Sequence, residues 1–119
     1  MAYVDGFLLP VARRKLGLYR KLARTAGKDW KEYGALEYRE CVGDDVKGKM
    51  AAPMRHGVRL KSGEAVVFSW IVYRNKRDRD RINKLVMKDP RILKMIDVSK
   101  DAFDMKRMGY GGFKVFVEF

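Results

Sequence analysis

Between Glu64 and Ile92 the sequence reads EAVVFSWIVY, then RNKRDRDRINKLVM, then KDPRI. A strand that is apolar on both faces passes directly into a densely charged helix, and the helix stops at Pro90. Almost every residue from Ala65 to Tyr73 is apolar, so both faces of this strand require cover. Helices on one side of a sheet leave the other side to be covered, and a second copy of the chain can do that. The helix starts at Asn75, a suitable N-cap, and runs to Lys88 with Ile82, Leu85, Val86 and Met87 as its buried side. Asp89 and Pro90 end it, because proline removes a helical donor and restricts the residue before it.

The rest of the chain supplies the partners of this unit. Tyr3 to Leu9 reads as a strand closed by Pro10 and interrupted by Asp5 and Gly6. From Val11 the period changes. Ala12, Leu16, Tyr19, Ala23, Ala26, Trp30 and Tyr33 recur at steps of three and four, which places them on one face of a helix ending at Gly34. Leu36 to Val42 alternates as a second strand, with Tyr38 and Glu40 on the same side. Gly57 to Lys61 and Glu64 to Tyr73 read as a strand pair joined across Ser62 and Gly63, with Met50 to His56 ambiguous before them. A short turn over Ile92 to Ile96 and an irregular stretch to Met108 precede a last strand, Gly109 to Phe119. The order strand, helix, strand, strand pair, helix, strand predicts an α+β protein: a ferredoxin-like βαββαβ sandwich with an antiparallel sheet, forming one domain over 1–119.

Composition narrows the function classes. With 119 residues, 47% hydrophobic and 35% charged, the chain belongs with ordinary globular proteins and not with disordered ones. The longest apolar run is too short for a membrane span. The N-terminal charges follow the apolar run, the reverse of a secretory signal, so a cytoplasmic location is expected. Cys41 is the sole cysteine and His56 the sole histidine, which excludes an internal disulfide and a structural zinc site. No cofactor is expected, because no phosphate loop, dinucleotide fingerprint, serine elbow or paired-histidine motif occurs.

The net charge of +12 is the outlying number. Residues 11–33 and 74–94 each carry an excess of six basic residues, and the remainder of the chain is balanced. The whole excess therefore belongs to the two helical regions. An electropositive helical face bearing Arg13, Arg20, Arg24, Lys28, Arg77, Arg81, Lys84 and Lys88 is a candidate surface for RNA or another polyanion. Against that, Asp78 and Asp80 sit among Arg77, Arg79 and Arg81, where they can pair locally, and the aromatics of the first helix lie on its buried stripe instead of interleaving with the cations. RMGYGGFKVFVEF from Arg107 has the flavour of an RNA-recognition signature but differs in spacing and sits on the last strand, not the third.

Polar groups inside strands point elsewhere. A charged side chain facing a core must be paired or have a role. Asp5 in the first strand, Glu40 in the second and Arg107 before the last are candidates for a shared cluster, either a structural ion network or the lining of a small-ligand pocket with Tyr110 and Trp70 as walls. Cys41, on a strand, reads as a small buried hydrophobe, and His56 as a surface or hairpin residue. No catalytic set is recognisable.

YVDGF at Tyr3, GALEYRECVGDDV from Gly34, EAVVFSWIVY from Glu64, RD at Arg79 with MKDPR from Met87, and FDMKRMGYGGF from Phe103 occur in this order. Together these motifs resemble the YbaA-like family of small bacterial proteins. The resemblance implies a ferredoxin-like fold of the dimeric α/β-barrel type, in which two sheets face each other across a homodimer, and it implies no activity. The helices here are more basic than that family's usual pattern.

Overall fold

The computed structural model describes residues 1–119. Four strands, β1 (Tyr3–Ala12), β2 (Glu37–Val42), β3 (Glu64–Tyr73) and β4 (Gly109–Lys114), form one antiparallel sheet in the order β2-β3-β1-β4. Helices α1 (Leu16–Glu32), α3 (Lys76–Val86) and α4 (Pro90–Ser99) pack on one face of it, and a short α2 (Ala52–Gly57) lies in the β2–β3 connection. This is the ferredoxin-like sandwich that the element order predicts. The body measures 38 × 36 × 20 Å, the thickness of one sheet and one layer of helices. No helix is long and apolar enough to cross a membrane.

Period-two alternation decides which side chains meet the helices. On β1 and β3 the inward set is Tyr3, Asp5, Phe7, Leu9, Val11 and Val67, Ser69, Ile71, Tyr73; the outward set includes Leu8, Phe68 and Trp70. Ile71, Tyr73, Ala26, Ile82, Val86 and Ile92 form the main core, and Leu9, Val11 and Val67 a second one. Asn75 caps α3 by accepting from the Asp78 backbone N–H at 2.8 Å, and Asp89 caps α4 by accepting from Arg91 N–H at 2.9 Å. Gly34 ends α1 with φ +117°, a conformation that glycine adopts without strain.

Several expectations need correction. Pro10 does not close β1; it sits inside the strand opposite Val66. Gly43 N–H donates to the Val66 carbonyl at 2.7 Å, so Val66 directs its backbone toward β2 and Pro10 directs its nitrogen away from β3. On that side β4 has already ended at Gly109, opposite Leu8, and no ladder bond is lost. Gly57 to Lys61 is not a strand but a helix end and turn, with Arg59 at φ +48°. The turn expected at Ile92–Ile96 is the ten-residue α4, started by its Asp89 cap and by Pro90 at the first helical position. β4 ends at Lys114, after which only Val115 N–H bonds back, to the Ala2 carbonyl. Leu85 and Met87 are exposed, leaving Ile82 and Val86 as the buried side of α3. Cys41 is exposed on the edge strand.

Candidate functional site

Strand register lays the inner sheet face out in rows. Glu40, Ser69, Phe7 and Tyr110 are mutual partners across β2, β3, β1 and β4, and Tyr38, Ile71, Asp5 and Gly112 form the adjacent row. Each row therefore spans three inter-strand spacings, about 14 Å from edge to edge. The helical layer does not close completely onto these rows. A cavity of about 360 Å³ remains, roofed by Tyr19, Ala23, Ala26 and Trp30 of α1, Asn83 of α3, and Met95 and Ser99 of α4. Its lining is mostly apolar, with one polar corner at each edge of the sheet.

The first corner is built on Asp5, which is 1% exposed. Arg79 Nη1 donates to its Oδ1 at 3.1 Å and also to the Tyr110 hydroxyl at 2.8 Å. Residues 79, 82, 83 and 86 share a helical face, so burying Ile82 and Val86 turns Arg79 and Asn83 inward as well. Trp30 Nε1 and the Tyr73 hydroxyl both donate to Asn83 Oδ1, at 3.0 and 3.1 Å, which leaves the Asn83 amide N–H groups for Asp5. The Arg79 guanidinium lies 4.9 Å above the Tyr3 ring. Burial raises the Asp5 carboxyl above its ordinary range, and Arg79 with the surrounding donors opposes the rise without cancelling it. Tyr110 is raised by burial and by Asp5. A ligand proton presented here meets a carboxylate made more basic by burial, with a phenol hydrogen-bonded beside it.

The second corner is built on Glu40. Tyr19 donates to Oε1 and Tyr38 to Oε2, both at 2.7 Å, so each carboxylate oxygen holds one phenol. Burial, with the Glu40 charge second, pushes both phenols well above their usual range, and they remain protonated donors at any physiological pH. α1 reaches this corner because it packs directly on β2. Gly27 lies against Tyr38 so closely that a Cβ would stand 2.8 Å from the ring.

Of the residues singled out in the sequence, Asp5, Glu40 and Tyr110 line the same cavity, Asp5 and Glu40 at opposite corners of it. The expected cluster of Asp5, Glu40 and Arg107 does not form. Arg107 instead clamps Glu64 through Nη1–Oε1 at 2.8 Å and Nη2–Oε2 at 2.7 Å, and also holds Asp104 and the Arg59 carbonyl. It sits beyond the register of Leu8 and Gly109, at the end of the sheet where β3 begins. Trp70 points to the opposite sheet face, 5.4 Å from Phe68, because residue 70 is out of phase with Ser69 and Ile71. Arg79, Asn83, Tyr19, Tyr38 and Trp30 complete the site beyond the residues that the sequence points to. The sequence carries a signal for two of them: Asp5 needs a cation, and Tyr38 shares a side with Glu40.

Of the basic set, Arg13, Arg20, Arg24, Lys28, Arg77, Lys84 and Lys88 are exposed and make no ion pair, while Arg81 lies 3.6 Å from Asp78. Asp80 pairs with Arg79, and Asp78 also with Arg74. No group of three or more His, Cys, Asp or Glu side chains is placed to hold a metal ion.

Two solved structures share this architecture. Rv0793 from Mycobacterium tuberculosis superposes with TM-score 0.62 at 12% identity, covering 99% of this chain and 98% of its own. A variant of SnoaB, a cofactor-independent oxygenase from Streptomyces nogalater, gives TM-score 0.60 at 13% identity, covering 98% and 95%. The likeness is one of fold, an α+β sandwich with helices on one face of an antiparallel sheet. At the sequence level, the YbaA protein of Escherichia coli K12, described as uncharacterized, is 41% identical over 118 residues, 99% of either chain. The same identity and coverage hold for YbaA of Shigella flexneri. The family model described as "Protein of unknown function (DUF1428)" matches residues 2–105, and the chain belongs to that family.

Proposed function

We propose that the protein is a cytoplasmic homodimer that binds a small, largely apolar ligand between its sheet and helices. The observation that carries this reading is the cavity of about 360 Å³, a volume within the ordinary range for ligand sites, with its few polar groups convergent at two corners. An apolar body would contact Phe7, Ile71 and Met95, and a hydroxyl or amine would find the Asp5 corner. Trp30 supplies a reporter, since the chain has two tryptophans and Trp70→Phe leaves Trp30 alone. With 4-nitrobenzyl alcohol, a ring that quenches indole, the Trp70→Phe protein is expected to show saturable quenching that Ala26→Leu weakens. Quenching that stays linear and is indifferent to Ala26→Leu overturns the reading.

A second reading, binding of RNA or another polyanion, is favoured by one observation: Arg20, Arg24 and Lys28 form an unpaired, exposed row at intervals of four on α1. Anisotropy of labelled RNA and DNA tests it, because neutralising several phosphates makes affinity fall steeply between about 50 and 200 mM salt. Absence of binding at low salt removes it.

A further inference from the structure

The groove between α1 and the β2 edge, about 590 Å³, adjoins the cavity, and Tyr19, Ala23, Tyr38 and Glu40 line both. These four residues form a wall common to both spaces, with the Tyr19–Glu40–Tyr38 hydrogen bonds and the small side chain of Ala23 within it. The outer space has a different character from the inner one. Arg20, Arg24 and Lys28 line it and pair with no acid. Lys31 lines it too, with its Nζ donating to the Leu36 carbonyl at 2.8 Å. The one carboxylate present, Glu40, already has a phenol on each oxygen.

We infer that the ligand of this cavity is an amphiphile with an anionic head, its apolar body in the cavity and its head in the groove among Arg20, Arg24 and Lys28. The inference rests on the cavity being a ligand site. It follows from what each space excludes. An anionic group inside would lose its hydration beside the buried Asp5 carboxylate, and burial of an uncompensated charge is costly. A cationic ligand would have to pass three unpaired cations at the rim. A fully polar ligand gains nothing from the apolar walls, whereas an apolar body gains in proportion to the area it buries. Only a molecule with both ends matches both spaces, and the planar guanidinium forks of Arg20 and Arg24 suit a carboxylate, sulfonate or phosphate head.

Two probes with one skeleton separate the claims: neutral N-phenyl-1-naphthylamine and anionic 1-anilinonaphthalene-8-sulfonate, titrated by fluorescence against the full chain. Both are expected to bind, the sulfonate tighter by about tenfold, as expected for a charge-assisted contact. The triple change Arg20→Glu, Arg24→Glu, Lys28→Glu should abolish that preference and leave the neutral probe unchanged. Reversing Lys84 of α3 and Lys88 just beyond it should leave both probes unchanged. Ala26→Leu, or Phe7→Trp where that variant folds better, should weaken both. Equal affinity for the two probes, or a sulfonate preference that survives the triple change or is lost equally on reversing Lys84 and Lys88, overturns the anionic head while leaving the cavity reading intact. Failure of the neutral probe to bind, or its indifference to both cavity variants, overturns the cavity reading itself.

Discussion

Asp5 and Arg107 show how differently two buried charges are treated in one small protein. Asp5 has its pKa raised by burial, so the folded state holds its proton more tightly than the unfolded chain does. Stability from this group is then full below its unfolded value and is lost as pH rises through the folded value. Asp5→Asn lacks the titration, so wild type should gain stability relative to the variant as pH is lowered from about 7 toward 4. Urea unfolding of both proteins across that window measures the difference, and a difference that moves toward the variant contradicts the assignment. Arg107 has the opposite signature. Its bidentate hold lowers Glu64 below the ordinary carboxylate value, and Asp104 is lowered by the Lys106 backbone N–H and then by Arg107. Those contributions are present above the unfolded values and vanish as pH falls through the folded ones. Arg107→Ala should cost about 3 kcal/mol at neutral pH, because Glu64 is left nearly buried and unpaired. Arg107→Lys should not restore it, since an ammonium cannot make the two parallel bonds.

Among the elements, α1 carries the largest share of the site, and its position depends on small contacts. Arg91 of α4 lies 2.6 Å from Asp29, 3.1 Å from Glu32 and 2.9 Å from Asp89, joining the end of α1 to the start of α4. Asp29 is buried, and its carboxyl is raised by burial first and by Asp89 second. Arg91→Ala should therefore lower the melting temperature at neutral pH, with the deficit shrinking on acidification once Asp29 is protonated and needs no cation; a pH series of melting curves reads this. Gly27→Leu should separate α1 from Tyr38 and break the Tyr38–Glu40 bond, which a loss of probe binding without loss of helicity would register. Periodicity made β1, β2, β3, α1 and α3 legible, because each buries one consistent stripe. It reduces α4 to a short turn over Ile92 to Ile96, because the pattern is short and the start depends on a proline that reads equally well as a stop. Glu40, Asp5 and Tyr110 could be singled out as polar residues in strands. Their arrangement could not, since it depends on register and on the inward turn of Arg79, a residue that in sequence looks like one more surface cation of α3.

The molecule as a whole is a two-layer slab whose sheet is covered by helices on one face only. Its outer sheet face carries the half-buried Leu8 and Trp70 and the exposed Phe68 and Phe113, and the chain beyond β4 adds Phe116, Val117 and Phe119, all exposed. Phe68 and Phe113 retain 45% and 61% of their surface. From strand spacing and rise, the face covers on the order of 500 Å², and the apolar tail brings it toward the ~800 Å² per partner of a stable interface. A second copy laid sheet to sheet would bury both faces at about 10 Å separation. The charge distribution permits this, because the net basic excess belongs to the two helical regions, while the charges on the outer sheet face, Glu37 and Arg39, pair with each other. Sedimentation equilibrium at micromolar concentration should therefore find a dimer, and Phe68→Glu with Trp70→Glu should shift it to monomer while the helical signal is retained. The same double change leaves every wall of the inner cavity in place, so binding of the neutral naphthylamine probe should persist in the monomer. A wild-type monomer at that concentration removes the dimer, and loss of the probe together with dimerisation would place part of the ligand site in the partner subunit.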